Sequence, residues 1–117
     1  MKFNCENLDV YNLSRKLIVR VYKVTNEFPS SEKFGLTSQI HRSVISVCLN
    51  IAEGSAKGSK KDFAHFIKIA LGSLIEMDIS LKIAIDLNFA KQNDYDDLDG
   101  LIKDLYFKLI GLHKSLR

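Results

Sequence analysis

Apolar positions along this chain recur every three or four residues, which is the spacing of helices, and the two-residue alternation of strands is missing. Turns built around Pro29 or around glycine and asparagine separate four such segments. The predicted helices run from about Leu8 to Glu27, from Thr37 or Ser38 to Gly54 or Gly58, from about Lys60 to Leu87, and from Asn93 or Asp94 to the chain end. Helices joined by turns of roughly 5–10 residues predict an all-α fold, an antiparallel up-down-up-down four-helix bundle formed by residues 1–117 as one domain.

The second predicted helix carries a narrow polar line beside its apolar arc. At 100° per residue, Gln39, Ser43, Ser46, Asn50 and Glu53 each lie within about 40° of one line drawn along the helix from Gln39. A shorter polar line lies on the third helix. We predict that the two lines meet in a hydrogen-bonded contact that fixes the register of the helices, and we call their residues the polar seam. An active site is the alternative, but no nucleophile, base and orienting group form one constellation. The polar seam comprises Gln39, Arg42, Ser43, Ser46, Asn50 and Glu53 on the second helix and Gly72, Ser73 and Glu76 on the third.

Glycine in the middle of a helix costs about 1 kcal/mol relative to alanine. Gly72 occupies such a position, so we expect another backbone to approach it closely.

The third predicted helix is apolar on two sides and therefore needs two neighbours. One stripe supplies the core, and a second row lies among charged residues on the far side. In a monomer the second row would face water, so we expect it to pack against another subunit. The second row comprises Leu71, Ile75, Ile79 and Ile83.

Charge is unevenly distributed along the 117 residues, whose formal net charge is +3. Residues 1–61 hold ten Lys and Arg against five Asp and Glu, and residues 62–117 hold seven against nine. This asymmetry permits an anionic partner, although each basic group taken singly is more often simply a solvated surface. Repetition of a weak basic patch in an oligomer would multiply phosphate contacts. The groups are Lys57, Lys60, Lys61 and Lys68 around the second turn, and Arg15, Lys16, Arg20 and Lys23 on the first helix.

Candidate catalytic and metal-ligating residues are scattered. The three histidines, His41, His65 and His113, belong to three different helices, whereas a metal site needs ligands that converge on one point. The Glu-x-x-His pair of di-iron bundles is absent. Neither a disulfide framework nor a membrane-spanning apolar run is present. We therefore expect no enzyme activity, no cofactor, no bound metal, no membrane association and a cytoplasmic location.

Three stretches carry a resemblance to a known family: FGLTSQI from Phe34 to Ile40, NIAEG from Asn50 to Gly54, and IALGSLIE from Ile69 to Glu76. With them the chain resembles, over nearly its whole length, the bacterial four-helix-bundle proteins encoded in intervening sequences of 23S ribosomal RNA genes. It departs from the common pattern over His41 to Val44, where the family commonly has two basic residues and an alanine, and at Cys48, where proline is frequent.

The resemblance implies a ring-shaped homopentamer. It also implies similarity to the accessory protein of diversity-generating retroelements, a basic pentamer that works with a reverse transcriptase and nucleic acid. From this resemblance and the charge asymmetry, the leading hypothesis is a non-enzymatic oligomer that binds RNA or a ribonucleoprotein through its basic surfaces, with RNA or a nucleic-acid-processing protein as the expected partner. The alternative is a protein–protein scaffold or accessory subunit with no nucleic-acid role.

Overall fold

The computed structural model describes residues 1–117 and contains four long helices and no strand. They are α1 (Asp9–Thr25), α2 (Leu36–Ser55), α3 (Lys60–Asp86) and α4 (Gln92–Ser115), with short 3-10 helices at Asn4–Asn7 and Ser30–Glu32. Each helix packs against its neighbour in sequence, and α1 also packs against α4. The predicted antiparallel four-helix bundle is confirmed.

The helix ends follow local capping chemistry. α3 begins as predicted, because the Ser59 hydroxyl accepts a hydrogen bond of 3.1 Å from the backbone N–H of Asp62. α2 begins earlier than predicted: Gly35 is its N-cap, and the Glu32 carboxylate accepts the Leu36 N–H at 3.3 Å. The cap is therefore supplied by a residue before the turn, not by Thr37 or Ser38.

The other helix ends differ from prediction by one or two residues. α1 ends at Thr25 instead of Glu27, because the chain turns there and buries Phe28 in the core. α4 begins at Gln92, where the Asp94 carboxylate accepts the Lys91 N–H at 3.2 Å.

The core is one continuous cluster of buried apolar side chains from all four helices. Leu71 belongs to this core, with only 9% of its surface exposed, so its predicted place at an oligomer interface is wrong. The row of positions four residues apart rotates by about 40° per step around a helix, which brings its first member to the core side. Ile75, Ile79 and Ile83 remain 49%, 48% and 43% exposed.

Helices α2 and α3 make the most extensive contact in the bundle. Gly54 permits it: a Cβ at this position would lie 2.6 Å from the Cβ of Phe66 and 3.0 Å from Cδ1 of Phe63. Gly72, in contrast, is exposed and has nothing within 4 Å of the position a Cβ would take. The backbone approach predicted at Gly72 does not occur within the chain, and the glycine that needs it is Gly54.

None of the four helices has an apolar stretch of the length and hydropathy that crossing a lipid bilayer requires.

Candidate nucleic-acid interface

The polar seam forms a contact between α2 and α3 through two pairs of side chains. The Gln39 amide donates a hydrogen bond to the Glu76 carboxylate, and the hydroxyl oxygens of Ser46 and Ser73 lie 2.9 Å apart. Gln39 and Ser46 are seven residues apart, so both face α3. The predicted contact between helices is confirmed for these four residues.

The remaining polar-seam residues of α2 do not cross to α3, so that part of the prediction is wrong. The Ser43 hydroxyl donates to the Ile40 carbonyl at 3.0 Å, and the Asn50 amide donates to the Ser46 carbonyl at 2.8 Å. These short side chains reach backbone carbonyls in the preceding turn of their own helix, so they form hydrogen bonds without a partner on α3. Glu53 lies 3.9 Å from Lys57, whereas Arg42 is exposed and has no ion-pair or hydrogen-bond partner.

Asn50, Glu53 and Arg42 instead line an open groove of about 740 Å³ along the outer side of α2. We call it the α2 groove; aromatic residues of three elements, Tyr22, Phe34 and His41, also line it, and we call them the aromatic wall. Sequence patterns alone do not reveal this groove. Its residues are separated along the chain, and the turn between α1 and α2 brings them together.

His41 is held in a fixed position within the α2 groove. Its ring stacks on Tyr22 with the ring centres 3.7 Å apart and the planes 10° from parallel. Its Nε2 lies 2.7 Å from the Thr25 hydroxyl. Burial lowers the pKa of His41 below the ordinary histidine value of 6.5, which favours a neutral ring at pH 7.

The lysines around the turn from α2 to α3 are exposed and largely free of ion pairs. Lys60, Lys61 and Lys68 have no carboxylate within 4 Å. Lys57 is weakly paired with Glu53 at 3.9 Å, and its ammonium lies 5.3 Å from the Phe66 ring centre. These charges are available to an external anion.

The antiparallel topology adds two cations that are distant from this turn in sequence. The C-terminus of α4 lies at the same end of the bundle as the start of α3, so Lys114 and Arg117 join that end. We call it the basic end; it comprises Lys57, Lys60, Lys61, Lys114 and Arg117. The acidic first turns of α4 lie at the opposite end.

The basic residues of α1 differ from one another in their surroundings. Lys16 and Lys23 are exposed and unpaired, and Arg15 lies 5.8 Å from the Tyr11 ring centre. The Arg20 guanidinium donates a hydrogen bond of 2.6 Å to the Asp97 carbonyl and so ties α1 to α4. Lys16, Lys23 and Arg15 are therefore freer than Arg20 to meet a phosphate.

A polar cluster lies between α3 and α4, next in sequence to the exposed isoleucines of α3. The Tyr95 hydroxyl donates a hydrogen bond of 2.5 Å to Asp78, and Lys82 lies 2.9 Å from the same carboxylate. Burial, reinforced by the bond to Asp78, raises the pKa of Tyr95 to about 12. No three histidine, cysteine or carboxylate side chains anywhere in the chain are arranged to hold a metal ion.

Comparison with known proteins identifies the family of this chain. The sequence profile of the 23S rRNA-intervening sequence proteins matches residues 6–111, which is most of the chain. The chain belongs to the 23S rRNA-intervening sequence protein family. The family resemblance inferred from the FGLTSQI, NIAEG and IALGSLIE stretches is confirmed.

A solved structure supports the same assignment. This member of the 23S rRNA-intervening sequence protein family is similar to a protein of unknown function from the S23 ribosomal protein family of Bacteroides thetaiotaomicron. The TM-score is 0.81 at 25% sequence identity, and the match covers 90% of this chain and 98% of the other. The curated proteins include no match.

Proposed function

We propose that this chain is a non-enzymatic, oligomeric helical-bundle protein that binds RNA, or a ribonucleoprotein, through its basic surfaces. The observation that carries the proposal is the basic end, where Lys60 and Lys61 have no carboxylate partner and the α4 terminus adds further cations. Cations without partners bind phosphates and release condensed counterions, which is the main source of affinity for nucleic acid.

The proposed assembly is a homopentamer, a number that comes from the family resemblance. The exposed apolar row of α3 supports association, because Ile75, Ile79 and Ile83 are each about half exposed along this helix. A ring of five copies would repeat the basic end and so raise the avidity for RNA without any new contact. The similarity to the basic pentamer of diversity-generating retroelements supports the same interpretation.

The experiment compares two double variants in filter binding to a structured RNA. Lys60→Ala with Lys61→Ala removes unpaired charges from the basic end. We expect weaker binding and a salt dependence shallower by about 0.7–0.9 in log–log slope for each phosphate that the protein no longer neutralises.

The matched control removes two lysines that are already held by carboxylates. Lys82 lies 2.9 Å from Asp78, and Lys103 lies 3.0 Å from Asp99. Lys82→Ala with Lys103→Ala changes net charge equally, so we expect it to leave the slope unchanged. An equal decrease in affinity for both double variants would mean that only net charge matters and would contradict an interface at the basic end.

A protein–protein scaffold without a nucleic-acid role is the competing function. Co-purification from cells with and without nuclease separates the two. RNA binding predicts that partners are lost after nuclease treatment, whereas a scaffold retains them.

A further inference from the structure

The α2 groove combines features that the proposed RNA-binding surface does not use. Its volume of about 740 Å³ lies within the range of small-molecule sites, roughly 300–1,000 Å³. The groove is lined by the aromatic wall, by hydrogen-bonding groups and by two cations, Lys33 and Arg42. Neither cation has a carboxylate within 4 Å.

The aromatic wall is placed for stacking by an external ring. Phe34 is 91% exposed, although its benzyl group is one of the largest apolar side chains in the protein. Tyr22 and His41 also line the groove, where they stack on each other and the Thr25 hydroxyl holds His41, so they form a rigid flat surface. A flat aromatic ligand can lie against these rings with little loss of side-chain freedom.

The polar features gather at the start of α2. The hydroxyl of Thr37 is buried and has no hydrogen-bond partner in the chain, so it is unsatisfied unless a ligand or water supplies one. The backbone N–H groups of Thr37 and Ser38, in the first turn of this 20-residue helix, are also without a partner in the chain. The Glu32 carboxylate already caps this terminus, 3.3 Å from the Leu36 N–H, so the two N–H groups offer hydrogen-bond donors beside an occupied cap.

The positive and negative side chains lie in different parts of the groove. Lys33 lies near the start of α2, with its ammonium 5.6 Å from the Phe34 ring centre, and Arg42 follows two turns along the helix. The carboxylate of Glu53 is the acidic group lining the groove, and sixteen residues separate it from Thr37, about 24 Å along the helix. An anion is therefore favoured near Lys33, beside the aromatic wall.

We propose that the α2 groove binds an unpaired nucleotide, with its base against Phe34 and the Tyr22–His41 pair and its phosphate near Lys33, Thr37 and Arg42. The groove is thus a single-stranded subsite separate from the basic end, and the inference extends the proposed RNA binding from phosphate attraction to base stacking.

The test measures binding of a short single-stranded RNA that carries 2-aminopurine, whose fluorescence is quenched on stacking. Phe34→Ala removes an exposed ring, so the fold should be unaffected, and we expect binding to weaken by about 5- to 150-fold, the range for removal of one base–aromatic stack. Arg42→Gln should weaken binding and reduce its salt dependence. The matched control is Phe107→Ala, which removes a ring that is 66% exposed on α4, away from the groove.

The outcomes separate this inference from the proposed function. Quenching that requires Phe34 but not Phe107 supports the nucleotide subsite, even if a fully double-stranded RNA does not depend on Lys60 and Lys61. Binding of double-stranded RNA that needs those lysines, together with no quenching or with equal quenching in Phe34→Ala, overturns the subsite and leaves the proposed function standing. Dissociation of the oligomer by Phe34→Ala in light scattering would show that a second copy occupies the groove and would also overturn the subsite.

Discussion

Replacing Gly54 by alanine tests how closely α2 and α3 approach just before the lysines of the basic end. The added methyl would lie 2.6 Å from the Cβ of Phe66, whereas carbon atoms in ordinary contact are about 3.5–4.0 Å apart. The Cβ of Phe66 is fixed to its backbone and has no rotamer that moves it. The two helices must therefore separate locally by about 1 Å.

The magnitude follows from two opposing terms. Inserting a methyl into a packed contact costs about 1–3 kcal/mol. Alanine recovers less than about 1 kcal/mol of helix propensity, because Gly54 is the second-to-last residue of α2. We expect a net loss of about 1–2 kcal/mol. At about 2.1 cal/mol/K per residue, 117 residues give an unfolding entropy of about 250 cal/mol/K, so Tm should fall by about 4–8 °C.

The assay is thermal and urea unfolding followed by circular dichroism at 222 nm, at fixed protein concentration. Gly100→Ala is the matched control, because Gly100 is exposed inside α4 and a Cβ there would meet nothing within 4 Å. We expect this control to gain about 0.5–1 kcal/mol. If Gly54→Ala were as stable as Gly100→Ala, the close approach at Gly54 would be refuted.

Three further predictions concern association and pH. Ile79→Lys should lower the mass found by light scattering while the circular dichroism stays helical, because Ile79 is half exposed; an unsubstituted chain that is already monomeric would contradict this. Tyr95→Phe should lower the free energy of unfolding. The loss should be constant below pH 10 and should decrease between pH 10 and about 12, because the raised pKa of Tyr95 means that the folded protein favours the protonated hydroxyl, which the unfolded chain loses first. A difference in urea unfolding that does not change with pH would refute this. His41→Gln should remove part of the stability loss seen as pH falls below 6.5, since the lowered pKa of His41 means that the unfolded chain takes up the proton first; equal pH profiles of the two proteins would exclude this.

Local patterns were sufficient to predict the fold because each depends on neighbours in the chain. Helical periodicity identified all four helices, and Ser59 caps α3 as expected for a serine followed by Asp62. The caps that were misplaced depend on a residue outside the helix, as with Glu32 at the start of α2. Such a cap is decided by the conformation of the turn.

The distance between two packed helices was harder to predict from the sequence than the side of each helix that is buried. A glycine inside a helix leaves room for a neighbour to approach, but it does not identify that neighbour or show that one is present. Gly54 is predicted only as a possible end of α2, yet a Cβ there would lie 2.6 Å from the Cβ of Phe66, whereas Gly72 is open to solvent within the chain. The same limit applies to Leu71, since a row drawn at four-residue spacing rotates into the core.

The candidate site was predicted only in part. Most of its charged residues are close together in the sequence, whereas the residues that line the α2 groove come from separate segments of the chain. The lysines from Lys57 to Lys61 are close in sequence and remain together in the fold. The addition of Lys114 and Arg117 requires the antiparallel topology, which brings the two chain segments to one end. The α2 groove depends on the conformation of the turn before α2, which places Phe34 beside residues of two helices.

The most direct test of RNA binding is a filter-binding titration of the nuclease-treated, unsubstituted protein against a structured RNA at low and at moderate salt. Counterion release by the unpaired lysines predicts binding at low salt that weakens steeply and linearly in log–log form as salt rises. Absence of binding at low salt, or an affinity that does not change with salt, would contradict the proposed function.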